Sequence, residues 1–225
     1  MPNWCYNRLE IDGPKDRLEA FEELVRTENN EFDFNAIIPY PAPYKQMDEE
    51  YPSGRDPEYA SKLAAYKEKW NTDTDGYNYG GYDWCWDNWG TKWNASDVFW
   101  EDDPNRLSVI FHTAWSPPSN VIRTIIEKFP DLKVVHHYRE ESLSFYGCDY
   151  SQDGELIRDF VETDNVEYSV GDLLYVESYN EEEGDTETFS ATYDSLADGD
   201  MINVIDDEGN HRVVSKCEVM LESYR

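Results

Sequence analysis

The sequence contains none of the short motifs that mark well-known catalytic or phosphate-binding sites. It has no G-x-S-x-G, no Walker loop, no HExxH and no glycine-rich phosphate loop after a strand. Acidic residues are so numerous that some carboxylates must lie close together in any fold, so a close acid pair has no diagnostic value. The sequence therefore predicts no catalytic residue, no metal site and no cofactor.

Cysteine is scarce and scattered. Cys5, Cys85, Cys148 and Cys217 form no CxxC pair, so a zinc site would have to gather four distant segments. No apolar run approaches the roughly 18 residues of a membrane helix, and the chain does not begin with a signal-peptide pattern. We therefore expect a cytoplasmic protein with reduced thiols, buried as small hydrophobic side chains, and no membrane contact.

Basic residues are few: 19 Lys and Arg stand against 49 Asp and Glu, which gives a net charge of −30. Such a field repels DNA, RNA and anionic membranes, because binding to them depends on neutralising phosphates. It favours a basic protein partner, metal cations or simple solubility, and a halophilic source would also explain it. Hydrophobic residues make up 39% and aromatic residues 15% of the chain, which is enough to form a folded core.

The negative charge is concentrated at the end of the chain. Residues 160–225 hold 18 acids and three bases, whereas residues 1–159 hold 31 acids and 16 bases. The last third is thus more than twice as dense in net negative charge, which favours two domains. We predict a domain at residues 1–160 with an insertion at 44–104, and a small acidic domain at 168–225.

Hydrophobic periodicity in the first domain alternates between strand and helix. The order β-α-β, insertion, β-α-β predicts the α+β class and a ferredoxin-like split β-α-β plan, with an antiparallel sheet and both helices on one face. The predicted strands lie at residues 1–11, 32–39, 107–115, 132–139 and 143–150; the helices follow Pro14, occupy 57–70 inside the insertion, and begin after Ser116 as N-cap.

The sequence of the second domain predicts short strands at residues 173–179, 188–193, 201–205 and 212–218. Turns rich in Gly and Asp separate these strands. This spacing predicts a small all-β barrel, and its G-D-x-x-Y-V pattern looks like a Tudor-type barrel. Such barrels hold cationic groups in aromatic cages, and the candidates here are Tyr175, Tyr179 and Tyr193. The alternative is that these tyrosines are purely structural.

Residues 84–100 contain five of the eight tryptophans. The candidate binding residues are Trp84, Trp86, Trp89, Lys92 and Trp93, together with Trp115 on the following strand; Lys92 has the spacing for a cation–π contact. One interpretation is a Trp-rich loop folded over the open end of the sheet as a second small core. The other is an aromatic pocket for a base, a sugar or a peptide.

The histidines are weak indicators of a catalytic or metal-binding site. His112 stands alone in a strand, where a structural role competes with that of a catalytic base. His136 and His137 are adjacent on a strand and should point to opposite faces, which argues against a shared metal ion.

Four ordered segments resemble the YubB-like ferredoxin-like family: M-P-N-W-C-x-N-R-L at residues 1–9, F-x-x-I-I-P-x-P at 34–41, W-C-x-x-N-W-G-T-K-W-N-A at 84–95 and F-H-T-A-W-S-P-P at 111–118. This family comprises plasmid, phage and prophage proteins without an established activity. The resemblance covers residues 1–155 and implies a ferredoxin-like fold and a mobile-element origin. It assigns no catalytic residue, although Trp4, Asn7, Trp89, Gly90, Lys92, Trp93 and Trp115 match the family pattern.

Three functions remain open at this point. The first is a non-enzymatic interaction protein that binds a protein partner through the acidic surface and the Trp-rich segment. The charge favours a basic partner, and a sharper version is a DNA mimic. The second is a nucleotide or nucleic-acid binding module, which the net charge opposes unless Arg8, Lys92, Arg106 and Arg139 form one patch. The third is an enzyme with a pocket under the Trp-rich segment that uses His112 and an acid.

Overall fold

The computed structural model describes residues 3–101, 106–162, 166–180, 185–198, 201–216 and 219–221, excluding the side chains of 177–180 and 185–186. The helices are α1 (Lys15–Val25), α2 (Phe34–Ile37), α3 (Ala42–Glu50), α4 (Tyr59–Trp70), α5 (Tyr82–Trp89) and α6 (Ser119–Lys128), with a π-helical turn at Tyr77–Gly81. The strands are β1 (Trp4–Asp12), β2 (Ser96–Glu101), β3 (Leu107–Ala114), β4 (Lys133–Glu140), β5 (Phe145–Gln152), β6 (Glu155–Glu162), β7 (Leu173–Asn180), β8 (Asp185–Leu196), β9 (Met201–Asp206), β10 (His211–Ser215) and β11 (Val219–Leu221).

The first sheet has the strand order β2-β3-β1-β4-β5-β6, and its pairings are antiparallel. Its first four strands, with α1 after β1 and α6 after β3, form the ferredoxin-like plan that the sequence predicted. The hairpin of β5 and β6 extends this sheet on one side. The mixed α/β architecture is thus confirmed.

The alternation of buried and half-buried residues along β1 shows which face of the sheet the helices cover. Cys5, Leu9 and Ile11 are buried, on the face that α1 and α6 cover with Phe21, Ile122 and other apolar side chains of the same core. The stripe of α6 is buried as its spacing predicted. The opposite face, called the open face below, carries the half-buried side chains of Trp4, Tyr6, Arg8, His112 and Arg139.

The second predicted strand, at residues 32–39, is wrong. The chain instead turns into the short helix α2, because the Asp33 carboxylate accepts a hydrogen bond from the Asn35 backbone N–H at 3.0 Å and caps the turn. Phe32, Phe34 and Ile37 are buried as expected, but they enter the core from a turn. The second strand of the plan is β2, inside the predicted insertion.

The insertion therefore lies between α1 and β2, and helical structure dominates it. The helix predicted at residues 57–70 is confirmed as α4. Asp48 on α3 accepts hydrogen bonds from the Tyr77 N–H at 2.7 Å and the Tyr40 hydroxyl at 3.2 Å. The bond to Tyr77 holds α3 against the π-helical turn. A Cβ atom at Gly81 would overlap the Tyr40 hydroxyl, so the close approach there requires glycine.

The N-cap predicted for α6 is also wrong. The residue before the first helical turn is Pro118, and it makes no capping side-chain bond. Ser116 instead donates its hydroxyl to the Gly90 carbonyl at 2.6 Å. A side chain that sequence spacing assigns to a helix end thus fastens the Trp-rich segment to the sheet.

The second sheet has the order β10-β9-β8-β7-β11, and its pairings are also antiparallel. Its buried face includes Leu174, Val176, Ile202, Val204 and Val214. Within the described residues its two edge strands, β10 and β11, do not pair, so this part of the chain does not form the closed barrel that the strand spacing suggested.

The two sheets meet at one end of the first. Leu143 and Tyr146 form a small buried cluster with Met220 of β11, and the Leu221 N–H donates to the Tyr146 hydroxyl at 3.2 Å. The predicted domain limits, 1–160 and 168–225, stay a prediction. Within the described ranges, no helix combines the length and apolar composition needed to cross a bilayer.

We expect Asp33→Ala to lower the free energy of unfolding by about 2 kcal/mol, because the buried carboxylate also accepts hydrogen bonds from Asn94 and Thr27. Chemical denaturation measures the change. Asp16→Ala is the matched control: this exposed acid makes no capping bond in α1, and its loss should stay within about 0.5 kcal/mol. Equal effects of the two substitutions would contradict the capping role.

Candidate functional site

Helix α5 divides the tryptophans of the Trp-rich segment between core and solvent. Cys85 and Trp89 are four residues apart and share the buried face, whereas Trp86 on the outer face is 42% exposed. Burial raises the pKa of Cys85 to about 12, so the thiol under this segment stays protonated. Gly90, at φ +82°, ends the helix in the left-handed conformation that glycine adopts readily.

The space beneath the segment is filled by aromatic side chains. Trp89 packs against Phe34, Tyr40 and Trp84 with ring centroids 5.6–6.1 Å apart, and its indole N–H donates to the Ile38 carbonyl at 2.9 Å. These contacts join the main core. The segment is therefore a helix, a turn and a strand built on that core, not a loop over a second small core.

The turn after α5 is fastened to the junction of β3 and α6. The buried Thr91 hydroxyl donates to the Ala114 carbonyl at 2.9 Å, next to the bond from Ser116 described above. The Asn120 side chain donates to the Asp87 carbonyl at 2.9 Å. The segment is thus held where α5 ends and its turn begins.

Trp115 has a strained backbone. The strand pattern placed it on the same face as Phe111 and Thr113, but its φ of +72° turns it out of β3, and its side chain is 41% exposed. A left-handed conformation at a bulky residue costs about 1–3 kcal/mol and persists only where neighbours enforce it. Here the Trp115 N–H donates to the Asn3 carbonyl at 2.9 Å.

Four of the six predicted tryptophan-segment residues come together at the surface. The Lys92 ammonium lies 4.5 Å from the Trp115 ring centroid, 4.7 Å from Trp93 and 5.5 Å from Tyr82, and the Trp86 and Trp115 rings are 6.4 Å apart. Trp84 and Trp89 lie with the core instead. We call the group Tyr82, Trp86, Lys92, Trp93 and Trp115 the tryptophan surface.

A row of rings leads from the tryptophan surface onto the open face. Trp93 lies 6.4 Å from Trp4, Trp4 lies 6.1 Å from His112, and His112 lies 4.7 Å from Tyr6. The Arg139 guanidinium stands 4.8 Å from the Tyr6 ring centroid. The sequence did not single out Tyr6, although the alternation of β1 would have placed it on this face.

His112 has an acidic neighbour, as the enzyme hypothesis required. Its Nδ1 lies 3.2 Å from an Asp97 oxygen, and Asp97 has a φ of +49°. The pair stands on the open face, and the predicted pocket under the Trp-rich segment is occupied by packed side chains. The arrangement provides a proton acceptor without an adjacent activated nucleophile among the described residues.

Three of the four basic residues named from the sequence gather at the open face. Arg8 pairs with Glu10 at 3.2 Å and with Glu101 at 2.8 Å, and Arg106 also reaches Glu10 at 3.2 Å. Arg139 lies beside them on β4, whereas Lys92 belongs to the tryptophan surface. The open face therefore concentrates cations, but carboxylates neutralise part of their charge.

The sequence missed a buried polar network on the helix-covered side of the sheet. The His136 Nε2 donates to the Asn7 side-chain oxygen at 3.0 Å, and its Nδ1 lies 3.8 Å from Asp149. Arg158 donates two hydrogen bonds to Asp149, at 2.8 and 3.1 Å. Burial lowers the pKa of His136, although Asp149 opposes this. The only early signal was Asn7, a polar residue at a buried position of β1.

His136 is buried and His137 is half-buried on the opposite face, as their adjacency predicted. In the part of the chain that the structure describes, no group of three or more His, Cys, Asp or Glu side chains is arranged to hold a metal ion.

Two of the three cage tyrosines, Tyr175 and Tyr193, lie on opposite faces of the second sheet. Tyr193 is buried in the second sheet with its ring 5.5 Å from Tyr168. Tyr175 pairs with Ser190 and so lies on the other face of that sheet, where it lines a cleft with Tyr6 and Arg139. The side chain of Tyr179 lies outside the described residues.

Comparisons with known proteins give one family and one structure. No curated protein matches the chain. A crystal structure of a protein api92 from Yersinia pseudotuberculosis is 13% identical, covers 76% of this chain and 99% of its own, and superposes with a TM-score of 0.45. The family described as "Ferredoxin-like domain in Api92-like protein" matches residues 88–192. Over those residues, the chain is similar to a ferredoxin-like domain of Api92-like proteins.

Proposed function

We propose that this chain is a non-enzymatic interaction protein whose contact site is the tryptophan surface. The observation that carries the proposal is the set of three tryptophans, Trp86, Trp93 and Trp115, each 39–42% exposed and grouped around the Lys92 ammonium. Tryptophan and tyrosine are the residues most enriched where binding energy concentrates in protein interfaces.

The hydrogen bonds and the backbone conformation that hold the tryptophan surface support the same function. Hydrogen bonds from Thr91, Ser116 and Asn120 fix the segment before any partner arrives, and Trp115 keeps a strained backbone that core packing alone would not require. A preordered aromatic surface loses little conformational entropy on binding. These features fit recognition better than they fit stability.

The net charge of −30 supports a basic partner. Charge complementarity raises the association rate and disfavours acidic partners, and its effect falls with ionic strength. In the DNA-mimic version, the surface carboxylates take the place of phosphates on a nucleic-acid-binding protein. That version predicts salt-sensitive binding, whereas binding through the tryptophan surface depends mainly on apolar contact.

The test uses the full chain to capture a partner from bacterial lysate, followed by calorimetry with the purified partner. We expect Trp93→Ala/Trp115→Ala to weaken binding at least about 30-fold, or about 2 kcal/mol. Phe160→Ala is the matched control, since Phe160 is an aromatic side chain of similar exposure on β6. It should bind like the unmodified chain.

Two outcomes would contradict the proposed site. If the double variant and the unmodified chain bind the partner equally, the tryptophan surface is not the contact. If raising the salt concentration abolishes binding of both the unmodified chain and the double variant, the acidic surface is the contact, and the DNA-mimic version of the proposal replaces the tryptophan surface.

The proposal extends to the family and origin of the chain and to the type of fold that its second sheet forms. The sequence motifs of the chain support a YubB-like, mobile-element protein, and its scattered cysteines fit the reduced thiols of the cytoplasm. The five-stranded antiparallel sheet, in which β11 returns to pair with β7, the first strand of this sheet, supports a partly open Tudor-like barrel.

A further inference from the structure

A cleft of about 270 Å³ lies where the open face of the first sheet meets the second sheet. Its walls include Tyr6, Arg8, His137, Arg139, Tyr175 and Met220. We propose that this cleft binds a small aromatic anion with the chemistry of a mononucleotide: one planar ring system that carries one phosphate or carboxylate group. This site is separate from the tryptophan surface.

The first argument is the pair of tyrosines on the cleft. Tyr6 comes from β1 and Tyr175 from β7, so each sheet supplies an aromatic ring. Planar ligands gain from stacking on such rings. Ligand sites also occur preferentially where two structural units meet, and this cleft of about 270 Å³ is slightly smaller than their usual range. A single ring system therefore suits it better than a large cofactor.

The second argument is the sign of the local charge. In a chain of net charge −30, Arg8 and Arg139 both line this cleft, and Arg106 reaches Glu10 beside them. The Arg139 guanidinium lies over the Tyr6 ring, and a guanidinium carries five N–H donors in its plane. An anionic group in the cleft would thus meet guanidinium donors suited to it.

The same charges argue for a small ligand over a nucleic-acid strand. A strand would run past the arginines toward Glu10, Glu101 and the acidic remainder of the surface, and its affinity depends on many neutralised phosphates. A ligand with one anionic group responds mainly to charges within about 8 Å at physiological salt. Among the described residues that line the cleft, two are arginines and none is an Asp or a Glu.

The test is calorimetric titration of the full chain with adenosine and uridine monophosphates. Adenosine, which lacks the anion, and ribose 5-phosphate, which lacks the ring, are the ligand controls. We expect saturable binding of a mononucleotide and at least about tenfold weaker binding of both controls, since each control lacks either the stacking contact or the charge-assisted arginine contact.

Variants locate the ligand. Tyr175→Ala and Arg139→Gln should each weaken binding about tenfold, whereas Phe160→Ala and the Trp93→Ala/Trp115→Ala pair should leave it unchanged. Circular dichroism checks that each variant is folded. In the unmodified chain, ligand-induced shifts in the NMR resonances of the Tyr6 and Tyr175 rings, without shifts at Trp86, would support the site without any substitution.

The proposal is overturned if no mononucleotide binds saturably at millimolar concentration. It is also overturned if adenosine binds as tightly as its monophosphate, or if the tryptophan double variant loses binding while Tyr175→Ala keeps it. Loss of partner binding in the double variant with intact mononucleotide binding would confirm that the two sites are independent.

Discussion

Replacing Phe111 with alanine is expected to lower the free energy of unfolding by about 3–5 kcal/mol. Phe111 is fully buried on β3, with ring centroids 4.9 Å from Phe32 and 6.0 Å from Phe34, and it stacks on His136 at 6.2 Å. Its ring therefore joins the sheet, the turn around α2 and the buried polar network. The cavity left by alanine would loosen all three.

Urea denaturation at neutral pH measures this loss. Phe99→Ala is the matched control, because Phe99 is a phenylalanine on the neighbouring strand β2 and is 62% exposed. We expect the control to stay within about 0.5 kcal/mol of the unmodified chain. A loss below about 1 kcal/mol for Phe111→Ala would show that the aromatic cluster is not the centre of the core.

The parts of the fold that follow from local periodicity could be predicted. The alternation in β1 and the stripe of α6 each record which side faces the core, and together with element order they were enough for the ferredoxin-like plan. The strand predicted at residues 32–39 failed for a physical reason. Its apolar residues do face the core, but Asp33 caps a turn there, and burial alone does not distinguish a turn from a strand.

Strand β2 was missed because its sequence lies inside the Trp-rich segment. Trp100 is only partly buried and packs on Phe32, while Phe99 on the other face is exposed. The alternation that marks a half-buried strand is therefore weak. Its position is set by pairing with β3, which is a contact that local pattern does not record.

The residues of the candidate site could be predicted from the sequence, but the way in which the fold brings them together could not. Trp86, Lys92, Trp93 and Trp115 do meet, yet their meeting depends on the positive φ of Trp115 and on the bond from Ser116 to Gly90. Neither follows from periodicity. The Asn7–His136 bond joins residues 129 apart in sequence, so only the folded sheet brings this network together.

That network gives the second large prediction. We expect Asp149→Ala to lower the free energy of unfolding at pH 7 by about 2–3 kcal/mol, because the variant removes the charge-assisted hydrogen bonds of a fully buried carboxylate, while the Arg158 side chain is 38% exposed and water compensates part of its loss. Asp149 is fully buried, and the variant would deprive Arg158 of both hydrogen bonds and His136 of its neighbouring carboxylate. Asp159→Ala is the matched control, as Asp159 is an exposed acid on β6.

The pH dependence separates the charge of Asp149 from its packing. Burial alone would raise the pKa of Asp149, but His136 and Arg158 outweigh burial and hold this pKa below the unfolded value of 3.8. The unfolded chain therefore takes up the proton first as the pH falls, so the carboxylate stabilises the fold above pH 3.8 and loses this contribution as the pH drops through its folded pKa. The difference in unfolding free energy between the unmodified chain and Asp149→Ala should therefore shrink as the pH falls below 3.8. A difference that stays constant into the acid range would mean that Asp149 acts through packing and that its ion pair with Arg158 adds no stability.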